Sequence, residues 1–452
     1  MTKDMTQGSP LKLILAFAVP LMLGSLFQQF YNLADTIIVG RFVGVEALAA
    51  VGSVGGLNYL VLGFVNGIAC GFSIPISWTF GAKDYAEMRR YTANAVWLSV
   101  FFAAVLTVVT VAMTRSILVW TNTPDNIIDL ADIYIRTIFI GIPFTLLYNM
   151  TSALMRALGD SKRPLYFLLV ASFLNIGLDL LCIIVFRMGA FGAAFATVFS
   201  QAVAGLGSML YILKHYGELR WSREEGQLSR THCAKLCSMG IPMGLQCSIT
   251  AIGSVVLQGA VNGLGSDIVA AQTAGGKAAQ FLCVPLESIG TAMTTYVSQN
   301  LGAHQYERVK KGVRFGIVCS TTLAECIGVV LFLLAEPLVA IFQNDPAVIE
   351  IGVRQAHVEA LFFCFLAFAH CIAGIMRGAG KPMVPMFIML AIWCVLRVAY
   401  ISIVVPLVAK IDVIFTAYPL TWGVSCIIFL IYFLKSDWLH NYDRLEQKKA
   451  LL

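Results

Sequence analysis

Charge is scarce in this chain, and that scarcity excludes an ordinary soluble fold. Only 12% of its 452 residues are Asp, Glu, Lys or Arg, about half of the roughly 25% that a water-facing surface requires. The six histidines form no HxxxH pair, and the twelve cysteines show no paired CxxC spacing. A metal-centred enzyme therefore has little support, and the cysteines read as small apolar packers. No GxxxxGKS or GxxxxGKT loop occurs, so the chain carries no ATPase of its own. No cofactor is expected.

What the chain has is apolar length. It is 58% hydrophobic, and runs of about 20 residues, enough to cross a hydrocarbon core of about 30 Å as helix, recur throughout. Twelve spans are read, near 13–39, 47–78, 92–114, 127–154, 165–186, 191–213, 238–262, 268–299, 313–334, 348–375, 383–408 and 413–434. The first is too long for the apolar core of a cleaved signal and has no small-residue cleavage site after it, so it is expected to be retained. Most of the 31 Lys and Arg fall on one side if both termini are cytoplasmic. That side takes Lys83, Arg89 and Arg90, then Arg156, Lys162 and Arg163, then Lys214 to Lys235, then Arg308 to Arg314. The net charge of +6 is thus a topology signal rather than a nucleic-acid footprint. An inner-membrane, multi-pass protein with both ends inside is expected.

The chain also reads almost the same twice. Gly81-Ala82-Lys83-Asp84-Tyr85 returns as Gly302-Ala303-His304-Gln305-Tyr306, and Met155-Arg156, Gly159 and Pro164 return as Met376-Arg377, Gly380 and Pro385. Gly44 and Ala49-Ala50 return as Gly265 and Ala270-Ala271, at the same offset of 221 residues. Shared glycines, prolines and basic residues at one offset mark a tandem duplication, an architecture typical of transporters. The expected fold is an all-α integral membrane protein with twelve transmembrane helices in two six-helix lobes. A pseudo-twofold axis along the membrane normal should relate the lobes. The expected boundaries are 1–213 for the first lobe, 214–237 for a cytoplasmic linker, and 238–452 for the second lobe and tail. Glycines inside spans read as close helix packing. Pro20, Pro75, Pro143, Pro242 and Pro285 read as bends.

Intramembrane carboxylates are the sharpest chemical signal, because a charge in hydrocarbon is costly unless sheltered. On the first span Gln28, Tyr31, Asn32 and Asp35 share one helix face. On the fifth, Asn175 and Asp179 are four residues apart and share a face. Asp35 precedes Arg41 and Asp179 precedes Arg187 by similar intervals, so the two acids lie at similar depth, with Thr197 on the sixth span near the same level. Two acids with amide and hydroxyl companions form an oxygen-rich site suited to H⁺ or Na⁺. The alternative is a pair of near-interface acids solvated by loops or paired with Arg41 and Arg187.

With Val19-Pro20, Gln28 through Asp35, Ile38-Val39-Gly40-Arg41, Met155 through Asp160 before Pro164, and Leu174 through Asp179, the chain resembles the multidrug and toxic compound extrusion (MATE) transporters along essentially its whole length. The resemblance implies cation-coupled export of small-molecule drugs, often organic cations, through a cavity between the lobes. It implies that Asp35 and Asp179 are the coupling carboxylates, and the metal ligands if the ion is Na⁺, with Asn175, Thr197 and Asn149 as partners. Gln28, Tyr31, Met150 and Met155 become candidate substrate contacts, and Glu287, which matches Asn66 in the repeat, a candidate cavity-lining acid. Membrane lipid is the surrounding partner, nucleic acid is not one, and a monomer is expected. The second lobe departs from part of the family. Gln246 to Thr250 holds no acid, and His370-Cys371 stands where an acid is sometimes found. Glu287, Glu325 and Arg397 are left within spans, with Arg397 a candidate partner for either acid.

The favoured reading is a secondary antiporter, not an enzyme. One charge moving through 100 mV releases about 2.3 kcal/mol, enough for a roughly 50-fold substrate gradient. A lipid-linked oligosaccharide flippase would need a strongly basic cavity, whereas acids and amides are found. An integral-membrane transferase would need clustered acids or histidines at an interface, and the histidines are dispersed.

Overall fold

In the absence of water a backbone must satisfy its own N–H and C=O groups, so apolar runs of this length fold as helices. The structure, a computed structural model, describes residues 4–121, 123–262, 266–341, 345–408 and 412–450. Among the described residues there is no β-strand. The helices are α1 (Pro10–Phe42), α2 (Val45–Ser53), α3 (Gly55–Gly81), α4 (Tyr85–Trp120), α5 (Ile128–Ile140), α6 (Ile142–Ala157), α7 (Lys162–Leu180), α8 (Gly189–His215), α9 (Arg230–Asn262), α10 (Ser266–Gly302), α11 (Tyr306–Leu333), α12 (Ala335–Ala340), α13 (Pro346–Ala360), α14 (Phe363–Gly378), α15 (Met383–Met389), α16 (Arg397–Val408), α17 (Asp412–Lys435) and α18 (Asn441–Ala450). Single π-turns follow α7 (Leu181–Val185) and α15 (Leu390–Leu396) and join them into their spans. Among the described residues eight spans pass on length and apolarity alone, and two bent helix pairs raise the number to ten. The long helices α9 and α10, of 33 and 37 residues, lie where the seventh and eighth spans are expected.

Three spans are broken rather than continuous helices. The second is split at Val54 into α2 and α3. The fourth is α5 and α6, bent by 45°, and the tenth is α13 and α14, bent by 53°. Pro143 explains the first bend, since it sits at the start of α6, where a missing N–H costs nothing. No proline marks the break at Leu361–Phe362. Pro20, Pro75, Pro242 and Pro285 lie inside helices that continue through them.

The duplication is written in the backbone as well. Lys83 (φ 59°) and His304 (φ 53°) are two of the three non-glycine residues with positive φ among the described residues, and they occupy matching places in the repeat. Each closes its helix in the same way. Asp84 N–H reaches back to Thr79 O at 3.0 Å, and Gln305 N–H to Asn300 O at 2.9 Å. This is the closure a left-handed residue makes at a helix C-terminus. Gly159 (φ 80°) and Gly380 (φ 78°) repeat the pattern at the ends of α6 and α14.

The chain divides into two compact units. One contains Leu23–Ser248, the other Met5–Met22 together with the chain from Ile249 onward. The units therefore do not part at the linker, because α1 and α9 each contribute to both. In the first unit, residues 214–237 are not a loose tether. Arg89 donates from Nε and Nη2 to the Glu225 carboxylate at 2.7–2.9 Å. Asn94 Oδ1 accepts the Ser229 N–H at 2.8 Å, and His232 Nε2 lies 3.0 Å from Glu87 Oε1. The Arg89 hydrogen bonds, with a backbone N–H from Ser222, hold the Glu225 carboxyl down at about 2. Close packing of α3 on the start of α9 completes this unit. A Cβ on Gly71 would stand 2.4 Å from Gly240 Cα, and one on Gly67 would stand 2.5 Å from Met243 O. Only glycine admits that approach. In the second unit Met5 is held by Gln299 Oε1, which accepts its N–H at 2.9 Å, and by Arg308, which donates to its carbonyl.

Candidate functional site

The first unit gathers the acids that the sequence places at one depth. Asp35 stands near the C-terminal end of α1 and Asp179 on the last turn of α7, just before the π-turn. Their carboxyl groups lie within hydrogen-bonding reach of one another. Asp179 is fully buried and Asp35 half-buried. Among the described residues no ion pair joins Asp35 or Asp179 to Arg41 or Arg187, and Asp179 is shut off from solvent. Among the described residues Asp35 Oδ1 and Asp179 Oδ1 are both buried and accept no hydrogen bond.

Helix spacing supplies the surroundings. Asn175 lies one turn before Asp179 on α7 and is buried. With its amide oriented to satisfy both neighbours, it donates to Asp179 Oδ2 at 3.1 Å and accepts from the Thr197 N–H at 3.2 Å and hydroxyl at 3.3 Å. That orientation is assigned from the network. Tyr31, one turn before Asp35, lies beside the Thr197 side chain. The structure thus brings together Tyr31, Asp35, Asn175, Asp179 and Thr197 from three helices. It adds Tyr134 on α5, buried and close enough to feel the charges of Asp35 and Asp179. The sequence reading missed Tyr134. Its only signal was a tyrosine on the buried stripe of an amphipathic helix, together with Ala131, Ile135 and Ile138.

The other candidates sit elsewhere. Among the described residues no hydrogen bond joins Asn149, half-buried on α6, to the acids. Gln28 is exposed on α1 and Glu287 exposed on α10. Met150 is buried beside an apolar cavity, and Met155 is wholly buried in the core of the first unit. In the second unit Arg397 is buried and faces neither Glu287 nor Glu325. It donates from Nε and Nη2 to Thr421 Oγ1 at 3.2 and 2.7 Å and stacks over the Tyr418 ring at 4.5 Å. The carboxylate nearest in charge is the buried Glu359, which accepts from Gln355 Nε2 at 2.8 Å. Ser248 donates to Leu60 O at 2.8 Å, and the Thr250 side chain lies outside the described residues.

Two carboxyl groups at hydrogen-bonding distance repel unless a proton or cation lies between them. Asp35, Asp179 and the Thr197 hydroxyl supply oxygens of the kind H⁺ or Na⁺ takes, the Asn175 amide holds Asp179 and Thr197 in place, and the unsatisfied Oδ1 atoms fit that use. Among the described residues there is no group of three or more His, Cys, Asp or Glu side chains that could hold a metal ion.

Comparison with known proteins meets this geometry. The MatE family model matches residues 20–181 and again 242–403, once on each repeat. The chain belongs to the MATE family. It is a transporter with an all-α, multi-pass membrane fold, and not an enzyme. Among its relatives is the probable multidrug resistance protein YpnP of Bacillus subtilis (strain 168), 30% identical over 88% of this chain and 89% of that one. The probable multidrug resistance protein YoeA of the same organism is 27% identical over 92% of both. A crystal structure of a MATE protein in complex with MaL6 covers 100% of both chains at a TM-score of 0.89 and 20% identity, a likeness of fold.

Proposed function

We propose that this MATE transporter exports small organic, often cationic, compounds from the cytoplasm, exchanging each for inward H⁺ or Na⁺ held between Asp35 and Asp179. The proposal places both termini in the cytoplasm and the chain in the inner membrane as a monomer. The observation that carries it is the contact of two acids on α1 and α7, sheltered by Asn175, Thr197, Tyr31 and Tyr134, with an unsatisfied oxygen on each acid. The names of the related B. subtilis proteins support the substrate class. A cation entering from outside satisfies the two oxygens, and its departure restores their repulsion. The two repeats alternate between states that favour one or the other condition. Efflux from proteoliposomes under an imposed pH gradient, then an imposed Na⁺ gradient, tests the reading and names the ion. Indifference to both gradients rejects exchange.

A further inference from the structure

The first unit holds a cavity of about 920 Å³ that the acid pair does not use. Its walls come from α4, α6 and α8, with Val100, Ala104, Phe144 and Leu147 typical of the lining. The few polar side chains on the wall are already spent. Thr92, Ser99 and Thr151 each donate to a carbonyl four residues back in their own helix, to Met88 O, Ala95 O and Leu147 O. With these donors turned into their own helices, the wall along its length favours an apolar occupant. Val100 and Leu213, 58% and 49% exposed, line it and face outward, so it opens toward the hydrocarbon.

One end differs. Arg220 and Trp221, a short turn past the C-terminal end of α8, close the cavity at that end of the helix. Arg220 donates from Nε and Nη2 to the Leu213 carbonyl, which fixes the guanidinium at the rim. Among the described residues no further acceptor takes the remaining N–H groups of its five. Lys214 and Arg223, also exposed, lie next in sequence to this rim, alongside Glu218 and Glu224. Glu225 is committed to Arg89. Along α4 the lining runs from Thr92 to Ala104, about 18 Å at about 1.5 Å per residue. That matches the depth of one leaflet, half of a core of about 30 Å.

We propose that this cavity is a binding site for an acidic diacyl phospholipid of the leaflet on the side of the termini, cytoplasmic in the orientation proposed above. Its acyl chains fill the groove between α4, α6 and α8, its phosphate meets Arg220, and Trp221 sits at the headgroup level where indole rings concentrate. The site is separate from the acid pair and does not depend on the exchange reading.

The test is lipid retention by the full chain, purified from vesicles of phosphatidylglycerol, phosphatidylcholine or an equal mixture with identical acyl chains, and counted by native mass spectrometry. One phosphatidylglycerol per chain is expected to remain, preferred over phosphatidylcholine about fivefold, the weight of one basic residue at an anionic surface. Arg220→Gln should bring the preference close to onefold while keeping a lipid in place. Ala104→Trp, which fills the open rim, should remove the lipid without changing elution volume or thermal midpoint. Retention of no lipid by the wild type overturns the proposal, as does equal retention by Ala104→Trp. An unchanged preference in Arg220→Gln overturns the headgroup assignment, and Arg220→Gln decides that point even if Ala104→Trp fails to fold. Displacement of the lipid by an organic cation at transported concentrations would assign the cavity to substrate instead.

Discussion

Replacing Asp35 or Asp179 with asparagine tests the coupling pair at the level of single atoms. The two carboxyls are within hydrogen-bonding reach, and Oδ1 of each accepts no hydrogen bond. Two carboxylates about 4 Å apart repel by roughly 4 kcal/mol at an effective dielectric near 20. The pair therefore changes state with its cation, and that change is what transport would use. An asparagine keeps the shape but places a permanent N–H where the proton or cation belongs, which fixes the site in its satisfied state. The fold should survive, since the substitution removes repulsion rather than packing. For one-to-one exchange with H⁺, a gradient of one pH unit supplies about 1.4 kcal/mol and sustains a roughly tenfold substrate gradient in proteoliposomes. Asp35→Asn and Asp179→Asn should each lower that to about onefold, and the double variant should be no worse, because the two acids act as one unit. The assay is steady-state accumulation of a fluorescent organic cation, with expression and thermal midpoint as controls. A wild-type gradient in either variant refutes the reasoning. Partial losses in the single variants that add up in the double would refute the shared site while leaving two independent acids.

Three further outcomes follow from the geometry. Asn175→Ala and Thr197→Ala each remove a hydrogen bond around Asp179, so the coupling-cation concentration for half-maximal transport should shift by about tenfold, the weight of roughly 1.4 kcal/mol per bond; no shift in transport titrations would place these residues outside the site. Gly71→Ala puts a methyl group 2.4 Å from Gly240 Cα and should cost about 1–3 kcal/mol, read as a lower thermal midpoint in detergent, whereas an unchanged midpoint would deny the close approach of α3 and α9. The Glu225 carboxyl is depressed to about 2 by Arg89, so its hold on the linker is complete above the ordinary carboxylate range and fades only as the pH falls from about 4.5 toward 2. Hydrogen exchange of residues 222–229 should stay slow at pH 5 in the wild type and quicken at the same pH in Glu225→Gln; equal rates in the two proteins would show that the ion pair does not dock the linker.

Much of this was legible in the sequence because the decisive residues carry strong local rules. Asp35 and Tyr31, like Asp179 and Asn175, are four apart, so helix geometry alone puts each pair on one face. The counts to Arg41 and Arg187 then equalise their depth. The repeat was legible because Gly159 and Gly380 are required by a backbone with positive φ. Lys83 and His304 occupy equally unusual geometry without glycine, so there the matching neighbours carried the signal and the residue type did not. Tyr134 was not legible, since nothing local separates it from the apolar stripe of α5, and only the fold brings it to the acids. The breaks at Val54 and at Leu361–Phe362 carry no proline, so the residue type read as a bend did not mark them. The partner of Arg397 was hidden for the same reason, because Thr421 and Tyr418 reach it from another helix.

The most direct test measures cation release from the purified protein when an organic cation substrate is added in weakly buffered solution. The account predicts that each bound substrate displaces close to one H⁺, or one Na⁺ in a sodium-loaded sample, and that Asp35→Asn and Asp179→Asn displace none. Substrate binding without release in the wild type, or undiminished release in either variant, would contradict it.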